Sequence, residues 1–350
     1  MPYSLTRREI NLGRGRVEYP TVATYYHNTI LAASSLGQVD RFTVDPATLA
    51  VTDVVQLMAP LVGGVNRVVH PVLVSDTNTT VLVTTIVLVQ RLPNGVRDYT
   101  PSPLEVRVFY PDSGVKRHLV YSEGAKWPQP RFLYSTAVVN ETLVVLGGFN
   151  RGSAADVPGD RRVYQDMWCL DLQHLDSTDP WRVVALKSRL AQELCSPKLR
   201  ASSNMGDSIS RFYGPHSISV SLSGTVALTP GVMIDDPTIP RRLNWDFAVN
   251  VGPFTCLFGS VIGHTLEGED EGTHCVYMYD RVSGDTTLYE PLPFPYQVIS
   301  ACMLNPTTML VVQEERTLVL ELDPQLFQTV HIYIPIYTCI CMYVYLYMHT

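Results

Sequence analysis

The chain has 350 residues, 46% of them apolar and 17% charged, with a formal charge of -7. That length holds a large core, and the acidic balance gives no general attraction to nucleic acid or to anionic membranes. Twenty-five prolines and 22 glycines, spread evenly, fit many turns between short strands, while long helical periodicity is nearly absent. The predicted class is all-β.

The first twenty residues lack the apolar run of a secretory leader. A cytoplasmic setting is therefore expected, in which the sequons at Asn78 and Asn140 carry little weight and the seven cysteines stay reduced and mostly buried. "LTRREINLG" (5–13) reads as a spare strand. After it comes a unit that recurs: an apolar hairpin, then an alternating strand that ends in Asp and a turn. The aspartates are Asp45, Asp112, Asp171, Asp280 and Asp323, in stretches such as "VDRFTVDPATLAV" (39–51) and "HCVYMYDRVSGDTTLY" (274–289). Asp suits the turn because its carboxylate accepts from backbone amides two residues on. One interval is about twice the repeat of roughly 50 residues, so one copy is degraded or missing.

The hairpins' second strands are "NTILAASSLG", "TTVLVTTIVLVQ", "ETLVVLGG", "FTCLFGSVIG" and "TTMLVVQEE", and a further hairpin, "HSISVSLSGTVALTPG" (216–231), falls in the long interval. Each unit reads as strands a to d of an antiparallel sheet. Such a sheet cannot bury both faces alone, so the units are expected to stack radially as about six blades of a β-propeller. The blade around 214–243 is expected to be short or irregular, preceded by a long inter-blade loop (187–213) with a helical turn or two near Leu186 to Leu194. The last unit lacks a fourth strand, and 5–13 is expected to supply it and close the ring. The tail (331–350) has no charge and many tyrosines. It reads either as a membrane anchor of about 20 residues or as translated dinucleotide-repeat DNA, and is expected to lie outside the fold.

In "ETLVVLGGFN" (141–150) a strand ends in Gly147 and Gly148. Paired glycines permit close backbone approach and a positive-φ exit. A phosphate-cradling loop would need a following apolar helix, whereas a polar, proline-broken stretch follows. The segment 128–181 resembles a kelch repeat in Arg131, the pair Gly147 and Gly148, then Tyr164, Trp168, Asp171 and the later Trp181. The resemblance implies a kelch-type propeller whose b–c and d–a loops form one face, on which some members capture acidic peptides with arginines.

The loops read as b–c are 90–103, 149–163, 231–243 and 263–273. Three carry arginines: Arg91 and Arg97 (with Tyr99), then Arg151, Arg161 and Arg162 (with Asn150), then Arg241 and Arg242. A guanidinium fork suits carboxylates, although solvated loop charge is the plain alternative. The fourth loop gathers His264, Glu267, Glu269, Asp270, Glu271 and His274, which is either a set of metal ligands or an acidic surface loop. His27, His70, His118 and His216 lie in or beside strands and read as packed or surface histidines. The expected function is a monomeric interaction module for a protein or peptide partner, without cofactor. The alternative is a propeller enzyme, an oxidase or hydrolase with its site at the ring mouth.

Overall fold

The computed structural model describes residues 6–10, 21–26, 28–45, 47–61, 66–75, 79–91, 93, 95, 97–110, 116–151, 161–177, 179–196, 201–204, 206–213, 216–229, 243–261, 264–265, 268–269, 273–284, 286–290, 298–313 and 317–323. Residues Met1–Leu5 and the tail 331–350 lie outside them. The α-helix among them is a single turn, Ala191–Leu194.

Among the described residues there are six sheets of four or five antiparallel strands. The first sheet runs Thr21–Tyr26, Thr29–Ala33, Val39–Val44 and Val51–Met58. The second runs Arg67–Ser75, Thr80–Arg91, Glu105–Phe109 and Lys116–Leu119, with Arg97–Pro101 added to the far end of the long second strand. The third is Ser135–Val139, Thr142–Leu146, Met167–Asp171 and Trp181–Val184. The fourth is Ser202–Asn204, Ser208–Tyr213, His216–Ser221 and Val226–Thr229. The fifth is Leu243–Val251, Phe254–Val261, Thr273–Asp280 and Thr286–Glu290. The sixth takes Val298–Asn305, Thr308–Gln313 and Thr317–Glu321 from one end of the chain and Thr6–Ile10 from the other, with Arg8 opposite Val319.

The apolar runs follow from burial on both faces of each sheet. Leu143 and Val145 pack with Val81, Val83, Val106 and Val108 of the second sheet. Val144 and Leu146, one residue out of phase, pack with Ile209, Ile218 and Val220 of the fourth. The strand period of two therefore divides one apolar run between two interfaces. The first sheet is shared in the same way: Ile30, Phe42 and Val44 meet Leu310, Val312 and Val319 of the sixth, while Leu31, Ala33 and Val39 meet Leu73, Leu82 and Phe109 of the second.

The first strand of each sheet lies beside that of the next, and the strand Val298–Asn305 lies beside Thr21–Tyr26. Side chains tie these strands together. Ser300 Oγ accepts from the Val22 amide at 3.0 Å, Thr21 Oγ1 accepts from the Leu73 amide at 3.2 Å, and Asn204 Nδ2 donates to the Val138 carbonyl at 2.7 Å.

Three of the five Asp turns behave as the sequence predicts, while Asp112 lies outside the described residues. Asp45 Oδ1 accepts from the amides of Ala47 and Thr48, Asp171 Oδ1 from Gln173, and Asp280 Oδ1 from Val282 at 2.8 Å. The copy missing from the long interval is at His216–Ser221, where Ser221 Oγ takes the Thr225 amide instead.

That assignment corrects three expectations. The fourth sheet is complete in four strands, because the hairpin at 216–229 supplies its third and fourth strands and not its first two. The first two lie inside the stretch expected to be an inter-blade loop, whose serine-rich strands carry too few apolar residues to read as strands. The stretch 231–243 is consequently no b–c loop: it joins the last strand of the fourth sheet to the first of the fifth.

Candidate functional site

The third sheet organises one end of the molecule. Gly147 and Gly148 have φ of +61° and +89°. A Cβ on Gly147 would lie 2.7 Å from the Cys195 carbonyl oxygen, and one on Gly148 would lie 3.0 Å from that of Phe132. Backbone passes against both glycines, which is why side chains are absent there.

Arg131, fully buried, is fixed by this crossing. Its guanidinium donates to the Gly147 carbonyl at 2.9 Å and to both carboxylate oxygens of Asp166 at 2.5 and 3.0 Å. The Tyr164 ring covers it at 4.1 Å, and Trp168 Nε1 donates to the same Asp166 carboxylate at 2.8 Å. Trp181 stacks edge-on against Trp127, with centroids 5.6 Å apart. Arg131, Gly147, Gly148, Tyr164, Trp168, Asp171 and Trp181 are thus framework residues. Asp166, not singled out in the sequence, completes the bidentate pair that a buried arginine requires.

The chain leaving Arg131 builds the surface. Phe132 and Phe149 exchange two backbone hydrogen bonds of 3.0 Å, and their rings lie 4.1 Å apart. Phe149–Arg151 continues as a hairpin with Arg161–Val163, in the register Phe149 to Val163, Asn150 to Arg162 and Arg151 to Arg161. The extension Arg97–Pro101 of the second sheet lies next to Phe149–Arg151, and Tyr99 packs on Phe132 at 6.0 Å. In that extension Arg91, which is exposed, stands opposite Arg97. Two neighbouring hairpins therefore each place arginine opposite arginine. Like charges at directly opposed positions disfavour a strand pair.

Arg241 and Arg242 lie outside the described residues, as do Glu267, Asp270 and Glu271. His264 stands opposite Glu269 in a two-residue ladder, and His274 begins the third strand of the fifth sheet. Among the described residues no three His, Cys, Asp or Glu side chains come together as a metal site.

Three polar groups lie nearby or in the adjoining interfaces. His70 sits edge-on to the Tyr134 ring at 5.3 Å, and burial pulls its pKa down to about 4. Cys195 is buried over Gly147, and its thiol is pushed up to about 12. Arg211, 1% exposed, donates to the Leu194 carbonyl at the end of the helical turn and so fastens that turn to the fourth sheet. The thiols of Cys169, Cys195, Cys256 and Cys302 are free and buried. No helix among the described residues is long and apolar enough to cross a membrane.

No family model and no curated protein matches the sequence. Among solved structures, that of YjhT matches over 90% of this chain and 95% of its own, at 12% identity and a TM-score of 0.56. A streptogramin B lyase matches at 7% identity over 91% of this chain and 98% of its own, with a TM-score of 0.47. The β-propeller domain of Myceliophteria thermophila Cps50 (Swd1) matches at 10% identity over 91% and 100%, with a TM-score of 0.44. At such identities the likeness concerns fold alone, and only the first has a TM-score above 0.5. It extends over nearly the whole run of four-stranded sheets set side by side by their first strands.

The chain is a β-propeller. The two arginine hairpins are b–c connections of neighbouring sheets of the propeller, and the segment Arg131–Tyr134, a d–a connection, runs beside them. Sequence reasoning located the arginines and Tyr99 but missed Phe132, Leu133 and Val163, which share the surface. No signal in the sequence marks those three.

Proposed function

We propose that this is a closed, six-bladed, kelch-like propeller acting as a protein-interaction module, with an acidic peptide segment as its ligand on the b–c and d–a face. The observation that carries the reading is the pairing of Arg91 with Arg97 and of Arg151 with Arg161 in adjacent hairpins. An anionic ligand relieves the repulsion within each pair, so binding energy offsets a cost already present in the free protein. The closing pair of Thr6–Ile10 with Thr317–Glu321 and the framework around Arg131 support the ring and the kelch-like repeat.

The catalytic alternative draws no support from the buried reactive groups. His70 stays neutral near pH 7, and the Cys195 thiol stays protonated.

The test is titration of a fluorescent glutamate-rich peptide into the wild type and into the double variant Arg151→Ala, Arg161→Ala. A well-formed Arg–carboxylate bond contributes about 1.5–3 kcal/mol, so losing two is expected to weaken binding by roughly a hundredfold or more. Wild-type affinity is expected to fall with salt. Equal affinity of the two proteins, with no salt dependence, contradicts the reading.

A further inference from the structure

Arg211 is a second buried arginine, and its surroundings differ from those of Arg131. It lies on the second strand of the fourth sheet, opposite Ser202 and Ile218. The strand period of two puts it on the same face as Ile209, which packs against the third sheet. Its guanidinium donates to the Leu194 carbonyl, yet Nε is buried without a hydrogen-bond partner. No carboxylate among the described residues pairs with it. Asp166, whose charge reaches the neighbouring Cys195, is already occupied: both of its oxygens accept from Arg131, and Trp168 Nε1 adds a further bond. The Cys195 thiol supplies no charge either, since burial pushes it up to about 12. Burial pulls Arg211 down only to about 10, so it stays charged at neutral pH. Among the described residues, two buried guanidinium groups and one carboxylate thus leave one positive charge uncompensated at this junction. A buried cation without an anion is strongly destabilising, and water can meet its N–H groups but not its charge.

We infer that the junction of the third and fourth sheets binds a small monovalent anion of the chloride class, held by the Arg211 guanidinium beside the helical turn Ala191–Leu194. The Arg211 Nε–H donates to it, and the Cys195 thiol is a weak further donor. Enclosure sets the size of the occupant. Arg211 is 1% exposed and Leu194 and Cys195 are 0% exposed, so a peptide carboxylate, which brings its chain with it, does not reach this position. The ion neutralises Arg211 and so secures the attachment of the turn to the fourth sheet. The inference is independent of the acidic-peptide reading, because none of the loop arginines takes part.

Melting temperature, measured as sodium chloride replaces sodium gluconate at constant ionic strength, tests this, gluconate being too large for so enclosed a position. The wild type is expected to gain roughly 2–5 °C, levelling off as the site fills. Arg211→Met, which keeps the bulk and removes the charge, is expected to show no such saturating gain. A wild type that melts alike in the two salts, or a saturating gain that persists in Arg211→Met, overturns the inference. Should Arg211→Met fail to fold, crystals of the wild type grown in sodium bromide decide the matter. An anomalous bromide peak at hydrogen-bonding distance from Arg211 Nε is expected there, and a water in that place, or no bromide, overturns the inference.

Discussion

Gly147 and Gly148 set the geometry of the surface from inside the third sheet, and their substitution separates two effects. A methyl group at Gly147 meets the Cys195 backbone at 2.7 Å, and at Gly148 it meets that of Phe132 at 3.0 Å, both at positive φ. At Gly124 φ is +84° and nothing lies within 4 Å of the added Cβ. Gly124→Ala is therefore expected to cost about 1 kcal/mol from backbone strain, and Gly147→Ala about 2–4 kcal/mol from strain with displaced backbone. Equal losses in denaturant unfolding would show that the close approach is unimportant. His70 offers a second measurement at this scale. Burial lowers its folded pKa to about 4 from 6.5, so between those values the unfolded chain binds a proton that the folded chain does not. Stability is thus expected to fall as pH drops from about 6.5 towards 4, by up to about 3 kcal/mol. His70→Leu is expected to flatten that part of the pH–stability curve; an unchanged slope would assign it to other groups.

The repeat unit was largely legible in the sequence, and the exceptions have physical causes. Second strands such as Thr142–Leu146 stand out because both faces are buried, and third strands because an Asp closes the turn after them. The first two strands of the fourth sheet escaped notice because serines flank Ile209 and Arg211 interrupts the apolar pattern before Phe212, and Ser221 replaces the aspartate. The arginines could be found by position, but not their opposition, which depends on hairpin register. Leu133 could not be found at all, since its conformation follows from packing across Gly148. The strand Thr6–Ile10, read as a spare element, pairs residue for residue with Thr317–Glu321. Deleting residues 1–12 is expected to lower the melting temperature and to produce concentration-dependent association, as the edge of Thr317–Glu321 becomes free to pair. An unchanged melting temperature by scanning calorimetry would mean that this pairing contributes nothing to stability.

At the scale of the whole molecule, the sheets share their apolar faces with both neighbours, so the scaffold is rigid where its inner strands meet and varies at its connections. The proposed ligand surface lies at such connections, where Arg91 stands opposite Arg97 and Arg151 opposite Arg161. The proposed function requires that each arginine pair costs the free protein stability and favours an anionic ligand. Arg161→Glu tests this most directly, because it turns the Arg151–Arg161 opposition into an opposite-charge pair. Converting a cross-strand pair in this way is worth about 0.2–1 kcal/mol. The expected result is a melting temperature raised by about a degree or two, together with at least roughly tenfold weaker binding of the glutamate-rich peptide. A lowered melting temperature with binding retained would contradict the claim that these hairpins hold their charge for a ligand.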